Sequence, residues 1–186
     1  MKISLALLIV VALATASWAQ QSATGAQQST AKPSQASRAS GDSAFAMKAA
    51  HANMAEVELG KLALDKAMSD TVKKFAQMMV DDHSKALDEL KGLAGPKNIT
   101  LPTAIDAEHK KLSDRLSKMS GAAFDRDYMQ AMVDGHRKVA ADFRKESQSG
   151  SDAELKSWAG KTLPTVEAHL KQAETVTKGL HSTSTH

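Results

Sequence analysis

The chain reads as an all-α, up-down four-helix bundle with one extra short helix between the second and third main helices. Three observations predict this. Aromatic residues are scarce, at 4%, and alanine is abundant, so the core is built from Ala, Leu, Met and Val, a composition that favours helices over strands. Long stretches carry apolar residues at alternating three- and four-residue spacing. And one helical segment occurs twice without a gap: Phe75-Ala-Gln-Met-Met-Val-Asp-Asp-His83-Ser-Lys85 returns as Tyr128-Met-Gln-Ala-Met-Val-Asp-Gly-His136-Arg-Lys138. On a helix the aromatic, the methionine and the histidine of each copy share one face. The shared pairs Asp81 with Lys85 and Asp134 with Lys138 are predicted to form outward i,i+4 ion pairs.

Ahead of the bundle, Met1–Ala19 has the make-up of a secretory signal. Lys2 supplies the charge, a short apolar run follows, and Ser17-Trp18-Ala19 is a small-x-small cleavage site. The run is too short to span a bilayer with ease, so no transmembrane segment is expected in the mature chain. The predicted location is therefore the periplasm or the medium. Residues 20–41 are rich in Gln, Ser, Ala and Thr with no periodicity, and are expected to be a disordered linker. Cysteine is absent, which excludes disulfides and lipid attachment and leaves His and Met as the soft metal ligands. A formal charge of +3 with mixed acids and bases and no basic block gives no reason to expect nucleic acid.

The bundle domain is expected over residues 42–180, with a polar tail at 181–186. Asp42 or Ser43 is the expected start of the first helix, whose inner line runs through Ala49, Ala52, Glu56, Leu59 and Ala63. Ser69 is the expected cap of the second helix, which carries the first repeat copy and stops at Gly92 or Gly95-Pro96. Thr103 with Asp106 resembles a capping box for the short extra helix. The third main helix, about residues 122–147, carries the second repeat copy, and Phe124, Tyr128, Met132, Val139 and Phe143 form its stripe. Ser151-x-x-Glu154 is a capping-box pattern for the last helix. Its inner line passes through Trp158, Val166 and His169, and Pro164 predicts a kink. Short links predict two antiparallel hairpins related by a pseudo-twofold.

His83, His136 and His169 thus fall on the inner faces of three helices and Glu56 on that of the fourth. Met79 and Met132 lie one turn before two of the histidines. Bundles that hold two irons draw Glu-x-x-His from two helices. Here Val80 and Val133 stand in the glutamate position, so that ligand set is absent. Methionine and histidine without cysteine suit a softer ion such as copper, with zinc or iron as alternatives. The competing reading is structural: histidines hydrogen-bonded in the core, methionines filling gaps, and Glu56 pairing a histidine. His51 and His109 are expected to face solvent. No nucleophile elbow or His-Glu-x-x-His motif points to hydrolysis.

The run Ala55-Glu56-Val57-Glu58-Leu59-Gly60-Lys61-Leu62-Ala63, then Phe75-Ala76 and Met79-Val80-Asp81-Asp82-His83, resembles the opening of the bacterial family called "domain of unknown function 4142". Phe124-Asp125-x-x-Tyr128, Val133-Asp134-x-His136, Thr162-Leu163-Pro164 and His169-Leu170 are similar to its second half. The resemblance covers about residues 42–176. It implies an exported, ferritin-like four-helix bundle with recurrent polar positions at Glu56, His83, His136 and His169, and no settled activity. The function expected is therefore binding of a transition metal through Glu56, His83, His136, His169, Met79 and Met132, for metal handling or envelope stress rather than turnover. The alternative is a structural or protein-interaction module of the cell envelope.

Overall fold

The computed structural model describes residues 35–182, with side chains from Ala39 onward. The signal expected at Met1–Ala19, most of the expected linker and the end of the tail lie outside the described residues. Five α-helices follow in order: α1 (Gln35–Lys66), α2 (Asp70–Ala94), α3 (Ala107–Leu116), α4 (Gly121–Ser149) and α5 (Ala153–Ser182). A single 3₁₀ turn at Gly95–Lys97 closes α2. No described helix is long and apolar enough to cross a membrane.

Helix α1 opens at Gln35, ahead of the expected start at Asp42 or Ser43, so residues 35–41 are helical rather than linker. Their Ala, Gln and Arg are good helix formers, and once a helix is nucleated each added residue costs little. Asp42 serves elsewhere. Its two carboxylate oxygens accept the backbone N–H groups of Ser151 (3.0 Å) and Asp152 (2.8 Å) in the α4–α5 turn. Asp125, near the start of α4, does the same for the α1–α2 turn, accepting from Met68 (3.1 Å) and Ser69 (2.8 Å). Ser69 stands at the N-cap of α2, as expected, but makes no capping bond through its own side chain.

These contacts set the helix directions. The start of α1 meets the end of α4, and the start of α4 meets the end of α1, so those two helices are antiparallel. Within each hairpin the partners α1 and α2, or α4 and α5, pack along each other, while α1 also meets α4 and α2 meets α5. Residues 95–120, including α3, carry the chain back along the bundle. The crossover makes α2 and α4 run the same way. The twofold relates Asp42-x-x-Phe45 on α1 to Asp125-x-x-Tyr128 on α4. The longer sequence repeat, on α2 and α4, follows a different relationship: it marks two parallel helices that share a layer of the core.

Other caps also differ from expectation. Asp106, not Thr103, caps α3 by accepting from the His109 N–H at 2.9 Å. Asp152, not Ser151, caps α5 by accepting from Glu154 (3.1 Å) and Leu155 (2.9 Å). An ionised carboxylate at a helix start gains from both the free N–H groups and the helix dipole, which a hydroxyl cannot match. The outer face of the repeat is likewise rewired. Gln77 donates to Asp81 at 2.9 Å and Gln130 to Asp134 at 3.1 Å, in place of the expected bonds from Lys85 and Lys138. Lys138 reaches Glu108 of α3 at 3.1 Å instead. Helix α5 runs through Pro164 without ending.

The core falls into two apolar clusters. Phe75, Met79, Leu116, Phe124, Tyr128 and Met132 fill the end beside the α1–α2 turn. Phe45, Leu90, Phe143, Leu155 and Trp158 fill the end beside the α4–α5 turn. Fully burying one such large side chain contributes about 1.5–3 kcal/mol. Helices α1 and α2 approach closely at Gly60, where an added Cβ would stand 2.8 Å from Val80 Cγ2. Between the clusters lies a polar layer: Asn53, His83, His136 and His169, all buried.

Candidate metal centre

Each of these histidines is delivered by helical periodicity. His83 and His136 follow Met79 and Met132 by one turn, and His169 follows Val166 by three residues on the inner line of α5. The ring centroids of His83, His136 and His169 are 5.4–5.6 Å apart. One nitrogen from each ring lies within 4.8 Å of the other two. Among the described residues this is the one group of three or more His, Asp or Glu side chains with such spacing.

The hydrogen bonds fix how each ring is protonated. Asn53 donates its Nδ2 to the Ala49 carbonyl at 2.8 Å, which turns its Oδ1 toward His83 Nδ1 at 2.8 Å. That oxygen only accepts, so His83 Nδ1 carries the proton and Nε2 keeps a lone pair. His136 Nδ1 stands 2.9 Å from the Met132 carbonyl and His169 Nε2 stands 2.9 Å from the Asp82 carboxylate. By the same reasoning both nitrogens donate. The three that remain, Nε2 of His83, Nε2 of His136 and Nδ1 of His169, are buried and have no partner.

The charge state agrees with this arrangement. Burial, then the neighbouring His136 and His169, hold the His83 pKa well below the usual imidazole value. Burial lowers that of His169 as well, against the opposing pull of Asp82. The three remaining nitrogens are buried with no donor beside them, an arrangement that a bound cation would relieve. Bonding the outer nitrogen of a ligand histidine to an oxygen acceptor is how metal sites orient their rings and raise their basicity.

Glu56 stands apart from this cluster. Its Oε1 is 3.7 Å from His136 Nδ1, the nitrogen already committed to Met132, and its Oε2 is buried without a partner. Burial raises the Glu56 pKa, against the attraction of His136 and His109. The Tyr128 hydroxyl, also buried and unpartnered, is raised well above its usual value by burial and then by Glu56. Glu56 and Met132 line a cleft of about 610 Å³ between α1, α3 and α4. Met79 and Met132 are both buried in the cluster adjoining the histidine layer. His51 and His109, expected in solvent, are half-buried. His109 is bonded to Asp106 at 2.9 Å, and Nδ1 of His51 is buried with no partner.

Sequence reasoning did not identify Asn53, Asp82 or Glu146. Asn53 lies four residues after Ala49 and three before Glu56, so a polar residue interrupting an inner stripe was its signal. Asp82 adjoins His83 and carried no signal of its own, because its partner is on another helix. Glu146 is buried beside Asp42, and burial, then the Asp42 carboxylate, raises its pKa to about 7.

Fold and layer together define a four-helix bundle built around a buried three-histidine candidate metal centre. The chain belongs to the family described as domain of unknown function (DUF4142), whose model matches residues 25–176. No functionally curated protein matches it. Among solved structures it is similar to a DUF305 fragment from Deinococcus radiodurans, at 14% identity and a TM-score of 0.66, covering 74% of this chain and 95% of that one. It is similar to CopM in the Cu(I)-bound form, at 17% identity and a TM-score of 0.64, over 74% of this chain and 96% of that one. CopM in the Cu(II)-bound form gives 17% identity and a TM-score of 0.62, over 75% and 96%. At these identities the likeness establishes the shared helical fold.

Proposed function

We propose that this protein binds a transition metal ion through His83, His136 and His169, with copper favoured over zinc or iron, and serves in metal handling outside the cytoplasm. The observation that carries the reading is the set of three buried imidazole lone pairs, each oriented by an acceptor on the far side of its ring. Metal–nitrogen bonds of ~2.0–2.1 Å place ligand nitrogens roughly 3.5 Å apart. Rings whose nitrogens now lie within 4.8 Å reach that spacing by small rotations.

Copper is favoured on three grounds. The histidines are donors of intermediate softness, and the methionines Met79 and Met132 stand one turn away as further, soft donors. Moreover, a protein of similar fold, CopM, has been solved with both Cu(I) and Cu(II). Glu56 supplies a compensating negative charge behind His136, or a further ligand on rearrangement. The signal-like sequence of Met1–Ala19 supports work in the periplasm or the medium, where a cysteine-free site is not lost to oxidation.

The test is metal content of the mature protein, followed by anaerobic titration with Cu(I), Zn(II) and Fe(II). Near-stoichiometric uptake, lost in His83→Ala and His136→Ala while both variants stay helical, supports the reading. Wild type that takes up none of the three ions overturns it.

A further inference from the structure

The histidine layer has two unlike sides. Because α2 and α4 run in the same direction, Met79 and Met132, each one turn ahead of its histidine, fall on the same side. Both are buried, and that side is closed by apolar packing. On the other side stand Ala86 of α2 and Val139 of α4, each three residues past its histidine. Helix α5 runs the opposite way, so the residues that reach this side precede His169: Thr162, Thr165 and Val166.

Here the packing leaves a cavity of about 30 Å³ that touches His83 and His169, but not His136, together with Asn53 and Asp82. The space exists because the surrounding helices present small side chains: Ala49 and Ala52 from α1 and Ala86 from α2. One water needs roughly 10–15 Å³ of such volume, so the cavity has room for one small molecule. Its wall is mixed: methyl groups and the Phe143 ring beside Asn53, Asp82 and two threonines.

We infer that an ion held by the three histidines keeps an open coordination position on the cavity side, and that this position takes one exogenous ligand of one or two heavy atoms. The inference rests on the metal reading above and extends it. Closed structural sites surround their ion with protein donors, whereas an open position next to a shaped void is what lets a bound ion meet a small substrate or exchange ligands. Ala52 and Ala86 then set the size limit, since any longer side chain at either position would occupy the void.

The test uses the protein loaded with Cu(I) and carbon monoxide as the probe, read by infrared spectroscopy. One carbonyl band, saturating at one molecule per copper, is expected, with no uptake of the bulkier tert-butyl isocyanide. In Ala86→Leu and Ala52→Leu, checked for folding by circular dichroism, copper should be retained and carbon monoxide affinity should fall at least tenfold. Copper-loaded wild type with no carbonyl band, or one that binds the isocyanide equally well, overturns the open position and leaves the metal reading standing. Folded variants that bind carbon monoxide like wild type overturn the assignment to this cavity. Wild type that takes up no copper removes both readings together.

Discussion

The side-chain oxygen of Asn53 lies 2.8 Å from Nδ1 of His83, and the Asn53 amide nitrogen is tied at the same distance to the carbonyl of Ala49. This two-point attachment makes α1 a partner in the centre although it contributes no histidine. Asn53→Val should leave His83 free to turn and its Nδ1 without an acceptor. Outer-layer changes of this kind typically weaken metal binding 10–100-fold. A competition titration on the variant against wild type checks this. An unchanged affinity would mean that packing alone holds the ring.

Asp125 and Asp42 offer a comparison between two similar turn clasps. Each accepts two backbone N–H groups from the opposite hairpin, and charge-assisted bonds of this type contribute about 1.5–3 kcal/mol each. Asp125→Ala should lower unfolding stability by roughly 3 kcal/mol, near the upper end of the usual range for a single substitution. Asp42→Ala should cost less, because removing Asp42 also relieves its repulsion of Glu146. Guanidinium denaturation of the two variants measures the difference. A larger loss at Asp42 would contradict the account.

How much of this was legible beforehand follows from the range of each interaction. Helix periodicity is local, so the inner stripes, the two hairpins and the three histidines could be read directly from residues such as Met79, His83 and Val166. The layer's supports could not, because they are contacts between helices. Asp82 is bonded to His169 of α5, and nothing in the order of residues announces which helix stands opposite. Asn53 was displaced from the inner line by a single position, for which Ala52 looked the better apolar match; one residue is a rotation of about 100° on a helix. Ser69 stands at the N-cap of α2 as expected, but the bonds that hold the turns were not legible. Ser69 and Ser151 fit local patterns, while the carboxylates that hold these turns come from the far hairpin. The direction of α4 depended on the crossover at residues 95–120, whose path no periodicity reveals.

Glu146 makes the stability of the bundle depend on pH in a direction of its own. Its pKa is raised from the ordinary carboxyl value of 4.5 to about 7 in the folded protein. Between those values the unfolded chain has already lost the proton that the folded one keeps. The contribution of Glu146 is therefore fully present below about pH 4.5 and is lost as pH rises through about 7. Glu146→Gln, which cannot ionise, should raise the melting temperature above wild type at pH 8 and do so less at pH 5. A gain that is equal at both values would show that the two carboxyl groups do not share a proton.

The central claim is that three imidazoles meet at one ion, and X-ray absorption at the copper edge of the Cu(I)-loaded protein tests it most directly. The account predicts a shell of three nitrogen scatterers at ~2.0 Å with the outer-ring pattern of histidine, reduced by one in His169→Ala. A first shell made only of sulfur, or one that His169→Ala leaves unchanged, would contradict it.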